Sequence, residues 1–409
     1  MKSTLLLSTL FTTFSYSAMA QNNSSCYAIT GKDNNNFFWA DIKLVDMATG
    51  KIIKTVFETN KTSFKISNAA NNTLAEQRSI NAPTGNGVAA CAFDAVHNRL
   101  YFSPLYLSDI HYLDLNKADA NFTTIKTKAI ASSVNDGNVL EENQITRMVI
   151  GADGYGYALT NDANHLIRFS TDKNPVVEDI GSLIDAAANK EISIHNKCSS
   201  WGGDMVADAF GKLVIVAATH NVFIVDIDTK TATLKGAISG LPVNFTTNGA
   251  AVNNDGSIVV SSANVFEGLY KVNMKDLSAT KIVSVENPFN ASDLANGNFL
   301  YQKEADAAKN FPLAKSSLAV TTNGNAKIFP NPVSGSQFRV LLGNQKAGQY
   351  TVQVTDLAGR AIQSTITTIT NSTKTTTINL ANQLTKGVYL VNLLNDNNQI
   401  AFTEKIVIE

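Results

Sequence analysis

A unit recurs through this chain at a spacing of very roughly forty to sixty residues. Four segments align with one another: GVAACAFDAVHNRLYFSP from Gly87, TRMVIGADGYGYALTND from Thr146, GDMVADAFGKLVIVAAT from Gly203 and GAAVNNDGSIVVSSAN from Gly249. In each, a short apolar strand meets a turn containing Asp, Asn or Gly, and a second strand follows. Third strands ending in polar turn residues come next, IHYLDLNK, HLIRFSTDK, VFIVDIDTK and GLYKVNMKD, and a more polar fourth strand closes the unit, as in TATLKGAI from Thr231. Between Cys26 and Gln302 almost nothing carries a helical period; residues 182–190 read as a helical turn within a loop. A four-stranded unit repeated in this way cannot bury its own faces and must stack on its neighbours, which predicts an all-β, β-propeller-like body.

The ends of the body complement one another. The last unit begins as NASDLANGNFLYQ from Asn290 and stops, whereas the first begins late, with CYAIT from Cys26, ADIKLVDMATGK from Ala40 and IIKTVFE from Ile52. Joining the two partial blades closes a ring and removes the open sheet edges that would template aggregation. The count is about five blades, or six if residues 58–86 and 128–144 hold further strands. An array of β-sandwiches is the competing architecture and leaves the complementary truncation unexplained.

At 409 residues the chain exceeds the ~250–300 at which one hydrophobic core stops growing, so two or more domains are expected. A net charge of -1, with no cluster of Lys or Arg, gives no footprint for phosphate backbones and argues against nucleic acid as a partner. Met1 and Lys2, an apolar run over residues 5–14 and Ala18-Met19-Ala20 have the form of a secretory signal peptide cleaved after Ala20. No later segment is long and apolar enough to span a bilayer, so a soluble exported protein without a transmembrane segment is expected. Three cysteines, Cys26, Cys91 and Cys198, allow one disulfide and leave one thiol over. The expected organisation is a signal peptide over 1–20, the propeller-like domain over 21–302, a polar linker over 303–325 and a second all-β domain over 326–409.

That second domain opens with AKIFPNPVSG from Ala326. Pro330 and Pro332 flanking Asn331 remove backbone donors and suit a strand start or an edge. Asp356, Ala358 and Gly359, followed by Arg360, turn the chain between YTVQVT and RAIQST, and Gly387 leads into VYLVNL with Tyr389 before the Asn395–Asn398 turn. Lys405 lies in the terminal EKIVIE. An Ig-like sandwich of about seven short strands fits this length. These four ordered motifs resemble the type A C-terminal sorting domain of the type IX secretion system, with Pro330, Asn331, Pro332, Asp356, Gly359, Arg360, Gly387, Tyr389 and Lys405 at the matching positions. The resemblance implies a Bacteroidetes source, Sec-dependent entry into the periplasm, the translocon and sorting machinery as partners, and delivery to the cell surface or medium.

Candidate ligand positions follow from the ring. Inner strands line a propeller's channel, and their starts lie at its mouth. Arg147, Asp204, Asn248 and Asp293 occupy such positions, with Trp201 just ahead in SSWGGD. Two carboxylates, a guanidinium and an indole could hold a sugar or charged small molecule; alternatively Asp204 and Asp293 simply cap turns, which is the more economical account. His111 and His165 occupy matching places on third strands, away from the channel, and fit packing or surface roles. No nucleophile elbow, zinc-binding helix or phosphate loop is legible, no metal site is indicated and no cofactor can be named. The expectation is a binding module for a glycan or protein; the alternative is an extracellular propeller hydrolase or lyase. Converging carboxyls with shifted pKa values at the mouth would favour the enzyme, and an exposed aromatic face would favour binding.

Overall fold

The computed structural model describes residues 24–31, 37–70, 82–310, 327–333, 335–341, 347–356, 361–370, 375–380, 387–397 and 400–408. The expected signal peptide and most of the expected linker lie outside them; the helix Gln302–Asn310 stands where that linker was to begin. The chain divides into two compact units, residues 1–305 and 306–409.

Among the described residues, five sheets of the first unit touch one another through their innermost strands in cyclic order. The first blade draws on both ends of the unit, with Ala291–Ala295 innermost, then Ser25–Gly31, Trp39–Asp46 and Ile52–Phe57. The second runs outward from Val88–Asp94 through Arg99–Pro104 and Asp109–Asp114 to Ala120–Lys126, where Phe64–Asn68 adds a fifth strand in parallel. Ile145–Ile150, Gly156–Thr160, Leu166–Phe169 and Val177–Asp179 form the third. The fourth comprises Asp204–Ala207, Lys212–Val216, Asn221–Asp226 and Thr231–Ala237, extended by Ile184–Asp185 in parallel. Gly249–Val252, Ile258–Ser261, Tyr270–Val272 and Ala279–Lys281 form the fifth. Among the described residues, the stretches that could have hidden a sixth blade contribute an outer strand, the short hairpin of Val134–Asn135 with Asn138–Val139 and the 3-10 turn Glu141–Asn143.

Each strand's period of two explains why these runs are apolar almost throughout, because both faces of a blade are buried. Leu213 and Ile215 pack toward the third blade, and Val214 and Val216, alternating with them, pack toward the fifth. Ala90 and Ala92 face the third blade while Cys91 and Phe93 face the first. The same division at every blade yields five separate core layers, one per interface, and the layer between the fifth and first blades closes the cycle with Cys26, Ala28, Val259 and Leu294. The closing pairing sets Tyr27 opposite Ala295 and Ile29 opposite Asp293. Glycine is required where backbones approach most closely, between the fifth and first blades at Gly249 and within the fourth blade at Gly203. A Cβ on Gly249 would stand 2.5 Å from Ser261 Oγ and 2.8 Å from the Asp293 carbonyl carbon, and one on Gly203, at φ +92, would stand 2.0 Å from Val216 O.

Among its described residues the second unit is a sandwich of seven strands. One sheet holds Lys327–Phe329, Gln337–Leu341 and Thr375–Asn379; the other holds Ala361–Ile369, Gly348–Thr355, Gly387–Leu394 and Ile400–Ile408. Phe338, Val340 and Ile378 from the first sheet meet Val352, Val354, Tyr389, Val391 and Ile406 from the second in a single core.

Candidate functional site

The inner strands start at one common end of the ring. Ser292 Oγ donates to Val88 O at 2.6 Å, and Asp204 Oδ2 accepts from Ala250 N at 2.6 Å, so first turns of neighbouring inner strands lie level. Because strands alternate in direction within a blade, the loops joining second to third strands open at this same end.

Three of the expected positions converge beneath that mouth. Asp204 and Asp293 lie side by side, close enough for one carboxyl to hydrogen-bond the other. Asp204 also accepts from its neighbour Met205 N at 2.7 Å. Asp293 Oδ1 accepts from the Cys91 thiol at 2.8 Å, while Oδ2 has no partner unless a proton is present to be donated to Asp204. Both carboxyls are sealed from solvent, at 1% and 0% exposure. Burial raises each pKa well above the usual carboxylate range, and the Asp204 charge raises that of Asp293 further. Arg147 lies within electrostatic range of Asp204. Burial pushes its guanidinium down to about 10, so it stays charged at neutral pH. The pair therefore retains one proton at pH values where exposed carboxyls have none, and burial together with Asp293 pushes the Cys91 thiol up.

The Arg147 guanidinium bonds backbone carbonyls. It donates to Thr160 O and Gly202 O at 3.0 Å and to Ser200 O at 2.5 Å, tying the loop that carries Trp201 to the third blade. Trp201 is half-buried, its Nε1 donating to His195 O at 2.9 Å and its ring lying 5.1 Å from Lys197 Nζ. Asn248 Oδ1 accepts from Thr246 Oγ1 at 2.5 Å and Ala263 N at 3.0 Å, which fixes the loop entering the fifth blade. Thus Arg147, Asp204 and Asp293 are brought together, whereas Trp201 and Asn248 sit in separate loops above them. The thiol of Cys91 was not foreseen, although it precedes Asp94 by three residues as Asp293 precedes Asn296 in the aligned repeats. His111 is buried, stacked on Phe102 and bonded to Thr124; burial lowers its pKa to about 4. His165 pairs with Asp179 at 2.7 Å.

The opposite end of the channel is crossed by the segment leaving the last inner strand. Asn296 and Asn298 donate to Val252 O at 2.8 and 2.9 Å, Gly297 packs on Ala95, and Leu300 exchanges backbone hydrogen bonds with Ala207 and Ala209. Leu300 is fully buried.

Around the mouth, large apolar side chains are exposed. Phe37 and Phe38 precede the third strand of the first blade, Tyr106 and Leu107 that of the second, and Phe37 lies 5.8 Å from Phe266 of the fifth. Phe38 packs beside the Gly87 turn at the entry to the second blade.

In the second unit, Pro330 and Pro332 end the first strand, and Asn331 between them grips the last. Its Nδ2 donates to Lys405 O at 2.7 Å and its Oδ1 accepts from Val407 N at 3.0 Å. Gly387 opens the strand that buries Tyr389, and Asp356 follows Thr355 at a hairpin end; Gly359 and Arg360 lie outside the described residues. Among the described residues no helix is long and apolar enough to cross a membrane.

Residues 327–409 match the family described as the secretion system C-terminal sorting domain, and this unit is such a domain. No curated protein matches the chain significantly. Among solved structures, the chain is similar to PorZ of Porphyromonas gingivalis, an essential bacterial surface component of the type IX secretion system. The two are 15% identical, with a TM-score of 0.32, over 94% of this chain and 51% of PorZ, so the chain spans about half the length of that protein. A Bacteroides thetaiotaomicron protein of unknown function is 13% identical over 66% of this chain and 70% of its own, at a TM-score of 0.37. A streptogramin B lyase is 11% identical over 66% and 86%, at 0.35. Likenesses at this level have no bearing on activity.

Proposed function

We propose that this protein, which carries a C-terminal sorting domain and is therefore exported, serves at the cell surface or in the medium as a binding module. The sorting domain hands it to the type IX translocon, and the ring holds a partner protein on the face around its mouth. One observation carries this reading: the two carboxyls that could have done acid–base chemistry are sealed below the mouth, while Phe37, Phe38, Tyr106 and Leu107 stand exposed around it. Exposed aromatic residues gathered on one face are the composition of an interface core. The converging carboxyls are the feature that speaks for a hydrolase or lyase, but a general acid must reach the proton it transfers.

The test compares the full chain with a Phe37→Ser, Tyr106→Ser variant, using surface proteins of the source bacterium as prey and a glycan array in parallel. The expected result is a protein held by the parent chain, with affinity for the purified partner falling about tenfold or more in the variant. Turnover of a polymer or lactone that disappears in Asp204→Asn would overturn the binding reading.

A further inference from the structure

At the end of the ring away from the mouth, the turns at 253–257 and 273–278 of the fifth blade face the exit segment 297–304 across a cleft of about 810 Å³. Amide, hydroxyl and lysine side chains line it together with Met274 and the half-buried rings of Phe299 and Tyr301. The side-chain amide of Asn254 presents a donor and an acceptor together, which matches the paired hydroxyls of a sugar, and Asn273, whose Oδ1 accepts from Lys275 N at 2.9 Å, keeps its NH2 to donate. Aromatic rings cover the apolar C–H face of a pyranose. Tyr301 holds a left-handed backbone at φ 59, unfavourable for a non-glycine residue, where the exit segment turns into the helix Gln302–Asn310.

The charges narrow the ligand. Three lysines line the cleft against two carboxylates, Asp255 and Glu304. Lys271 is paired with Asp255; Lys275, Lys303 and Glu304 are exposed and form no ion pair among the described residues, so the unpaired groups of the cleft leave one positive charge over. An ammonium left unpaired beside amides and rings suits a carboxylate carried on a sugar. We propose that this cleft binds an acidic saccharide built of hexuronate units, with Phe299 and Tyr301 against the ring faces, Asn254 and Asn273 toward the hydroxyls, and Lys275 and Lys303 toward the carboxylates. The site lies at the other end of the ring from Phe37 and Tyr106. Failure of either site in its own assay therefore leaves the other standing.

Calorimetric titration of the full-length protein with trigalacturonate and with the neutral maltotriose tests this. The acidic trimer is expected to bind, about tenfold or more tighter than maltotriose, and to lose about tenfold in a Lys275→Ala, Lys303→Ala variant and at high salt, as loss of charge-assisted hydrogen bonds requires. Tyr301→Ala should abolish binding, but it also removes packing against the core of the fourth and fifth blades. The lysine variant, whose changes are confined to exposed side chains, is therefore the deciding one, with its melting temperature as a folding control. Absence of binding by either trimer, equal binding of both, or binding that the lysine variant leaves unchanged would each overturn the proposal.

Discussion

Asp293→Asn removes a titrating group whose energetic signature can be worked out from its surroundings. Asp293 is sealed from solvent beside Asp204, and both causes of its shift, burial and the neighbouring charge, act in one direction. A carboxyl with a raised pKa binds more protons folded than unfolded. Its contribution to stability is therefore full below the unfolded value near 3.9 and is lost as pH rises toward the folded value. One retained proton gives a slope of about 1.4 kcal/mol per pH unit in that window. Asn is nearly the same shape, can accept from the Cys91 thiol and donate to Asp204, and does not titrate, so the variant should lack the part of the slope that Asp293 contributes, while buried Asp204 keeps its own. Burial of His111 lowers its pKa to about 4 and makes stability rise with pH between about 4 and 6.5, but it does so equally in both proteins and cancels in the difference. The assay is urea unfolding followed by tryptophan fluorescence at a series of pH values. Both tryptophans, Trp39 and Trp201, lie in the ring, so the signal reports that unit alone. From pH 4.5 to 5.5 the stability of Asp293→Asn relative to the parent should rise by about 1.4 kcal/mol. A difference that stays constant with pH would mean that no proton is shared at the axis.

Three further outcomes are expected. Gly203→Ala forces a Cβ to within 2.0 Å of Val216 O at φ +92, and should destabilise the ring by about 3 kcal/mol or more, read as a lower urea midpoint. Deleting residues 24–31 removes the strand between Ala291–Ala295 and Trp39–Asp46; the ring should then fail to close, giving protease-sensitive, aggregating protein by size-exclusion chromatography. Asn331→Ala breaks two hydrogen bonds to the last strand and should cost the sorting domain about 1–3 kcal/mol, with chain retained in the periplasm while the ring's own melting is unchanged.

Much of the architecture was legible because propeller blades are local. Neighbouring strands in sequence pair with one another, so GVAACAFD and RLYFSP, or GDMVAD and KLVIVAAT, announce their own hairpins by a period of two and the turn between them. The composite first blade was legible for the same reason: one unit lacked its first strand and another lacked everything after it. Less visible were the short pieces. Residues 182–190, read as a helical turn, supply the strand Ile184–Asp185 as well as the turn Ala187–Asn189, because the unpaired outer edge of the fourth blade takes up any extended segment beside it. The PNP motif was visible as a strand boundary, but the grip of Asn331 on Lys405 and Val407 joins residues some seventy-five apart.

By itself the sequence determined that this chain is a ring of repeated β units followed by a sorting domain, since strand period, turn chemistry and motif order are written locally. Where side chains end up along the axis was decided only in three dimensions. Arg147, Asp204 and Asp293 occupy similar repeat positions, yet one reaches out to backbone carbonyls and two face each other with Cys91, because closing five twisted sheets sets their distances and excludes water. That exclusion turned expected mouth residues into a buried, proton-sharing pair. It also left the exposed chemistry to Phe37, Tyr106 and the polar cleft beneath the fifth blade, which no single repeat could have revealed.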